Sequence, residues 1–279
     1  MNTPPILTDQ TALARNRQRA RSLASGPALF LHEALLNEIE ERLAEVNKVF
    51  TAPAIVTGWP EVWTAALPGA TTCIDAETVS LEPVAHDLVL DTLTLHWAND
   101  PVGRLVQARR ALRPDGLMIA ALFGWRTLHE LRASLAEAEA RVSGGLSPRV
   151  APMAEIRDLG GLLQRAGFAL PVADSMTLTV SYETPWHLMR DLRAMGETNA
   201  LANRLRHPTG RAVLNEAARI YAESFPHGDD RVAATFEIIL LTGWAPDESQ
   251  QKPLRPGSAA QRLADALGAA ETPLPDDPV

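Results

Sequence analysis

Apolar residues recur along this chain with two different periods, and the change of period divides it. Across residues 8–46, Leu31, Leu35, Leu36, Ile39 and Leu43 return at helical spacing. Ser25-Gly26-Pro27 breaks that segment into two helices. From Ala54 the helical period gives way to short runs that are apolar on both faces. These are Ala54-Ile55-Val56 ending at Gly58, Thr72-Cys73-Ile74, Leu88-Val89-Leu90, and residues 117–123. A helical pattern at 102–112 is closed by Arg113-Pro114-Asp115-Gly116. Strands without a polar face, alternating with helices, predict a parallel sheet covered on both sides.

The order changes after Phe123. Residues 126–142 read as a helix, 143–148 as a Gly- and Ser-rich loop, and 153–166 as a helix stopped by Gly167. Met176, Leu178, Val180 and Tyr182 alternate with polar residues, as in a strand with one covered face. Residues 184–225 are mostly helical with a break near His207-Pro208, and 232–244 is a last long strand. Two late strands separated by a helical insertion predict an antiparallel hairpin added to the parallel sheet. The insertion would cap the carboxyl edge, where open α/β sheets bind ligands. The expected organisation is a helical N-terminal segment (1–48), an α/β core (49–183 and 226–245), a helical cap (184–225) and a tail (246–279). The tail carries one helical pattern at 259–267 and then Pro-rich acidic residues expected to be disordered.

Composition narrows the function classes. The net charge of −8 argues against a general nucleic-acid binder. One cysteine, Cys73, excludes an intramolecular disulfide and suits a reducing compartment. With no apolar signal region at the N-terminus, the expected location is cytoplasmic. No apolar run is long enough to cross a bilayer. Arg15, Arg17, Arg19 and Arg21 cluster on the first helix. They read either as a solvated face or as a contact for an acidic partner or an anionic membrane surface.

Family motifs follow. Residues 86–100, with His86-Asp87-Leu88-Val89-Leu90-Asp91 at their start, resemble the fourth-strand motif of class I methyltransferases. Arg109-Arg110-Ala111-Leu112-Arg113-Pro114-Asp115-Gly116 resembles the helix-to-strand motif that follows it. Narrower matches are Thr127-Leu128-His129-Glu130-Leu131-Arg132, Gly144-Gly145-Leu146-Ser147-Pro148-Arg149, Asp191-Leu192-Arg193-Ala194-Met195-Gly196-Glu197-Thr198-Asn199 and Gly243-Trp244. This series resembles the mitochondrial complex I assembly factors of methyltransferase fold and, less closely, the malonyl-carrier-protein methyltransferases of biotin synthesis. The resemblance implies a Rossmann-like, mostly parallel sheet and S-adenosylmethionine as cofactor. It also implies a protein partner, a respiratory complex I subunit. Two activities are known within it, arginine hydroxylation and methyl transfer.

The chain departs from that pattern where the cofactor would sit. By the resemblance, the first strand should end in an acid followed by glycines that let backbone approach the ligand. Here Val56 stands at the acid position, Gly58 alone survives, and Trp59 and Pro60 follow. Asp75 matches the acid that bonds the ribose. Only 12 positions separate Asp75 from Asp87, too few for the usual helix and third strand. Weak or lost cofactor binding is therefore expected. Against this, backbone contacts need no particular side chain, so Gly58, Trp59, Asp75 and the loop Asp91-Thr92-Leu93 form the candidate cofactor set.

For chemistry, His96 and Glu130 are the candidate catalytic residues. His96, Trp97, Arg126, Glu130, Glu197 and Asn199 are the candidate substrate or partner contacts. Structural readings compete with each: loop packing for His96 and Trp97, ion pairing for Arg126 and Glu130, helix capping for Asn199. No two-His-one-carboxylate set stands at close spacing, so no metal site is expected. Three functions stay open: a methyltransferase-like protein with a degenerate cofactor site, an active methyltransferase, and an arginine hydroxylase.

Overall fold

A computed structural model describes residues 6–251. The helical pattern at 259–267 and the acidic end of the tail lie outside the described residues. Six strands form one sheet: β1 (Pro53–Thr57), β2 (Thr71–Ile74), β3 (His86–Thr92), β4 (Leu112–Phe123), β5 (Ala169–Tyr182) and β6 (Val232–Trp244). Their order is β2-β1-β3-β4-β6-β5. The first four pair in parallel, with Ile55 beside Leu90 and Leu90 beside Ile119. β6 runs antiparallel to both β4 and β5, so the terminal hairpin closes the sheet as expected.

The helices are α1 (Gln10–Arg21), α2 (Phe30–Glu45), α3 (Pro60–Ala66), α4 (Pro101–Ala111), α5 (His129–Ser143), α6 (Ile156–Arg165), α7 (Pro185–Ala194) and α8 (Arg211–Ser224). The period-two geometry of β4 sorts them into two layers. Leu117, Ile119, Ala121 and Phe123 pack in one core with α2, α3, α5, α7 and α8. Met118, Ala120 and Leu122 pack in the other with Leu105 and Ala108 of α4 and Leu159 and Leu163 of α6. Both faces of β1, β3, β6 and the end of β4 are thus sealed, which is why these strands carry no polar side, whereas β2 and β5 at the sheet edges stay partly exposed.

Between Ile74 and His86 no helix or strand forms. The spacing from Asp75 to Asp87 foretold this, and β2 is consequently a sheet edge. Other details differ from the sequence reading. The short α3, opened by Pro60 at its first turn, was not anticipated. α5 begins at His129 rather than Arg126, because Leu128 adopts a left-handed φ of 53° and Gly124–Leu128 forms a turn held by Glu237 and Thr235 of β6. β5 starts at Ala169, well before Met176, with a register shift between Ala169 and Val172 that interrupts the alternation. Residues 195–210 are not helical. Gly196, at φ +74°, turns the chain after α7.

That non-helical stretch anchors α1. Asp9 caps α1 by accepting from the Ala12 amide at 3.0 Å, while its own amide donates to the Ala200 carbonyl at 2.8 Å. Asn16 Nδ2 donates to the Thr198 carbonyl at 3.0 Å. Asn99, in the loop after β3, accepts from the Leu7 and Thr8 amides. The first helix is therefore pinned across the carboxyl edge of the sheet.

Candidate functional site: a filled groove beside an open cavity

The parallel strands end together at Thr57, Ile74, Thr92 and Phe123, and the residues just beyond them line one edge. At β1 the chain turns through Gly58 and Trp59 into α3, with the Trp59 amide donating to Thr57 Oγ1 at 3.0 Å. Arg17 of α1 crosses this turn. Its guanidinium lies so close to Gly58 that a Cβ there has no room. It ends on Asp75, with Nη1 to Oδ1 at 2.6 Å and both side chains buried. Arg21, one turn on, donates to the Gly58 carbonyl at 2.6 Å, pairs with Glu61, and stacks 4.4 Å above the buried Trp59 ring. Gly196 permits the approach from the other side: a Cβ there would press on the Arg17 Cα and the Trp59 ring.

The rest of the candidate cofactor set serves the scaffold. Asp91 is fully buried, accepts from Thr94 Oγ1 at 2.5 Å and faces Arg104 at 3.5 Å. Burial pushes its carboxyl pKa up despite Arg104 and Thr94. Thr92 Oγ1 donates to the Val56 carbonyl, tying β3 to β1. Leu93 sits at φ 55° and donates to the Ala121 carbonyl.

Next to this filled groove lies an open cavity of about 280 Å³ under α5, α7 and α8. Phe123, Leu131, Met153, Met189, Met195 and Phe236 make it apolar. His96, Trp97, Glu197, Arg149, Arg193 and Asn199 give it polar edges. The structure brings together four of the candidate contacts here. Trp97 Nε1 donates to Glu197 Oε2 at 2.6 Å, and His96 Nε2 lies 3.5 Å from the same oxygen. Burial pushes the Glu197 carboxyl up, but His96, Arg17 and Trp97 outweigh it and hold the group below the usual carboxylate range. His96 Nδ1 has no hydrogen-bond partner, and its ring packs 4.7 Å from Phe123. Asn199 does not cap a helix. It bridges the Pro148 carbonyl and the Leu201 amide.

Two candidates stand apart. Glu130 is buried beneath α5, accepts from Thr235 Oγ1 at 2.5 Å and does not line the cavity. Arg126 is exposed, and its amide donates to Glu237. Glu130 Oε1 joins α5 to β6, and the Arg126 amide joins the preceding turn to β6. Sequence reasoning read Arg17 with Arg15, Arg19 and Arg21 as a solvated face or an acidic-partner contact, whereas its side chain is buried on Asp75, and it missed the methionines of the cavity wall. Arg17 and Arg21 are one helical turn apart, which marks a shared face, but nothing local names its target. Below the groove, His32 of α2 accepts from Trp63 Nε1 at 3.3 Å, and burial pulls its pKa down to about 4. Among the described residues, no three His, Cys, Asp or Glu side chains are grouped to hold a metal ion.

A methyltransferase domain model matches residues 34–120. The arginine-hydroxylase NDUFAF5 of Danio rerio is 40% identical over 202 residues, 72% of this chain and 63% of that protein. Its Homo sapiens counterpart is 40% identical, covering 69% of this chain and 56% of that protein. The malonyl-[acyl-carrier protein] O-methyltransferase of Halorhodospira halophila is 32% identical over 214 residues, 76% of this chain and 70% of that enzyme. The chain belongs to the class I methyltransferase family. It spans 43% to 63% of the length of the NDUFAF5 relatives named by organism here or found in Dictyostelium discoideum. Asp75 is the residue expected from the sequence to bond a cofactor ribose. In this structure it is engaged by Arg17, while Gly58 and Trp59 lie beneath α1. In this arrangement the Arg17 guanidinium occupies the space beside Asp75 and Gly58.

Proposed function

We propose that this chain is a methyltransferase-fold factor that acts on another protein during assembly of a respiratory complex, with a degenerate cofactor site. The similarity to the NDUFAF5 relatives supports the protein-directed role. The buried Arg17–Asp75 pair is the observation that carries the second part. The Arg17 guanidinium lies 2.6 Å from Asp75 Oδ1 and against Gly58, so this buried pair must move aside before a cofactor can enter the space beside both residues. Calorimetric titration of the full chain with S-adenosylmethionine and S-adenosylhomocysteine tests this. No saturable heat up to about 1 mM is expected. Micromolar binding by the unaltered chain overturns it.

Two other readings each have one supporting observation. Retention of Asp75 and Gly58 favours an active methyltransferase, which the same titration tests. An ionised Glu197 at the polar end of an apolar cavity suits a guanidinium on a methylene stem, which favours arginine hydroxylation. Its measure is the gain of one oxygen on an arginine of a partner peptide, lost in Glu197→Gln. No helix among the described residues is long and apolar enough to cross a membrane. A location in a reducing, cytoplasmic compartment stays part of this proposal.

A further inference from the structure

Four arginines on α1 divide between its two faces. Residues four apart share a face of a helix, and residues two apart do not. Arg17 and Arg21 turn inward to Asp75, Gly58 and Trp59. Arg15 and Arg19 turn the other way and line a second, polar cleft of about 500 Å³. Arg149, Arg204 and His207 complete its basic wall, with Asn16 and Thr209 between them.

The charge in this cleft is unbalanced. Glu139 takes Arg149, whose guanidinium holds the Glu139 carboxyl down at about 2. Asp9 is shared by Arg204 and Arg206. Arg15 and Arg19 form no ion pair among the described residues; Arg15 has only a 3.4 Å contact to the Thr11 carbonyl. At least two guanidiniums are thus uncompensated in a concavity of a protein whose net charge is −8. Planar, multi-donor guanidiniums match the oxygens of a phosphoryl group. The concave shape and a volume within the range of small-molecule sites, roughly 300–1,000 Å³, favour a discrete ligand over a flat anionic surface.

We propose that this cleft binds a phosphoryl group. The cleft shares Arg149, Thr198 and Asn199 with the apolar cavity, so a ligand with a phosphoryl head and an apolar tail has room for both. The inference is independent of whether the cofactor groove is degenerate.

Calorimetry of the full chain with pyrophosphate at low ionic strength tests it. Saturable binding that weakens about tenfold or more in Arg15→Ala/Arg19→Ala is expected. Alanine at exposed helical positions preserves the fold, which circular dichroism checks. Octyl phosphate distinguishes the source. Binding about tenfold tighter than pyrophosphate supports a tailed ligand, and equal binding supports a free phosphoryl compound. Absence of pyrophosphate binding, or an affinity unchanged in the double variant, overturns the proposal. So does arginine-dependent capture of polyglutamate or of phosphatidylglycerol vesicles that pyrophosphate does not displace.

Discussion

The two halves of the carboxyl edge have been treated in opposite ways. Over β1 and β2 the edge is closed by the chain's own side chains: Arg17 on Asp75, Arg21 on Trp59, and Trp63 against His32. Over β4 and β6 the cap leaves about 280 Å³ open, walled by flexible methionines and leucines. Neighbouring positions of one sheet thus separate a region packed by the chain's own side chains from one that leaves open space. A family resemblance describes a fold; which edge of it stays open is decided by a few long side chains arriving from elsewhere in the chain.

If the closed half is truly core, removing its central charge is the most damaging change. Arg17→Ala leaves Asp75 buried without a partner and should cost about 3–5 kcal/mol in urea melts. Arg17→Met combined with Asp75→Leu should recover most of that, because the apolar pair needs no desolvation to be repaid. A milder loss with Arg17→Ala would mean that the groove opens to water easily.

Acid should weaken the same half next. His32 is buried with its pKa lowered to about 4, so the unfolded chain binds the extra proton first. Stability is full above the ordinary histidine value of about 6.5 and declines as pH falls toward 4, by up to about 3 kcal/mol. His32→Gln should flatten that decline in denaturant melts compared at the two pH values.

The open half should tolerate more. Glu197→Gln exchanges a charged acceptor of the Trp97 indole for a neutral one, at about 1–2 kcal/mol. The exposed Arg15→Ala/Arg19→Ala variant should change the unfolding free energy by less than about 0.5 kcal/mol in denaturant melts. A larger effect would show that these two arginines support the fold.

How legible this was in the sequence differs between the halves. The sheet could be read because runs such as Leu88-Val89-Leu90 and residues 117–123 are short, apolar and bounded by turns. The missing third strand could be read from a count of positions after Asp75. The loss of glycines around Gly58 pointed to the closed half, but what filled it did not follow. Arg17 meets Asp75 across 58 positions, and local pattern carries no information at that range. Glu130 shows the opposite failure. Its place at the start of α5 suggested an exposed contact, whereas β6 runs beneath that turn and claims its carboxylate through Thr235. The cap stretch at 195–210 read as helix by composition, yet Gly196 and the carbonyls of Thr198 and Ala200 were needed as anchors for α1.

Those anchors bear on how α1 can move. Twelve residues of helix make a stiff rod of roughly 18 Å. Arg17 and Arg21 project from one side of it and Arg15 and Arg19 from the other, so a rigid rotation of the helix carries all four. A rotation that lifts Arg17 from Asp75 also swings Arg15 and Arg19 out of the polar cleft. Groove and cleft share one moving part, and the state of either can be reported by a probe attached to the other.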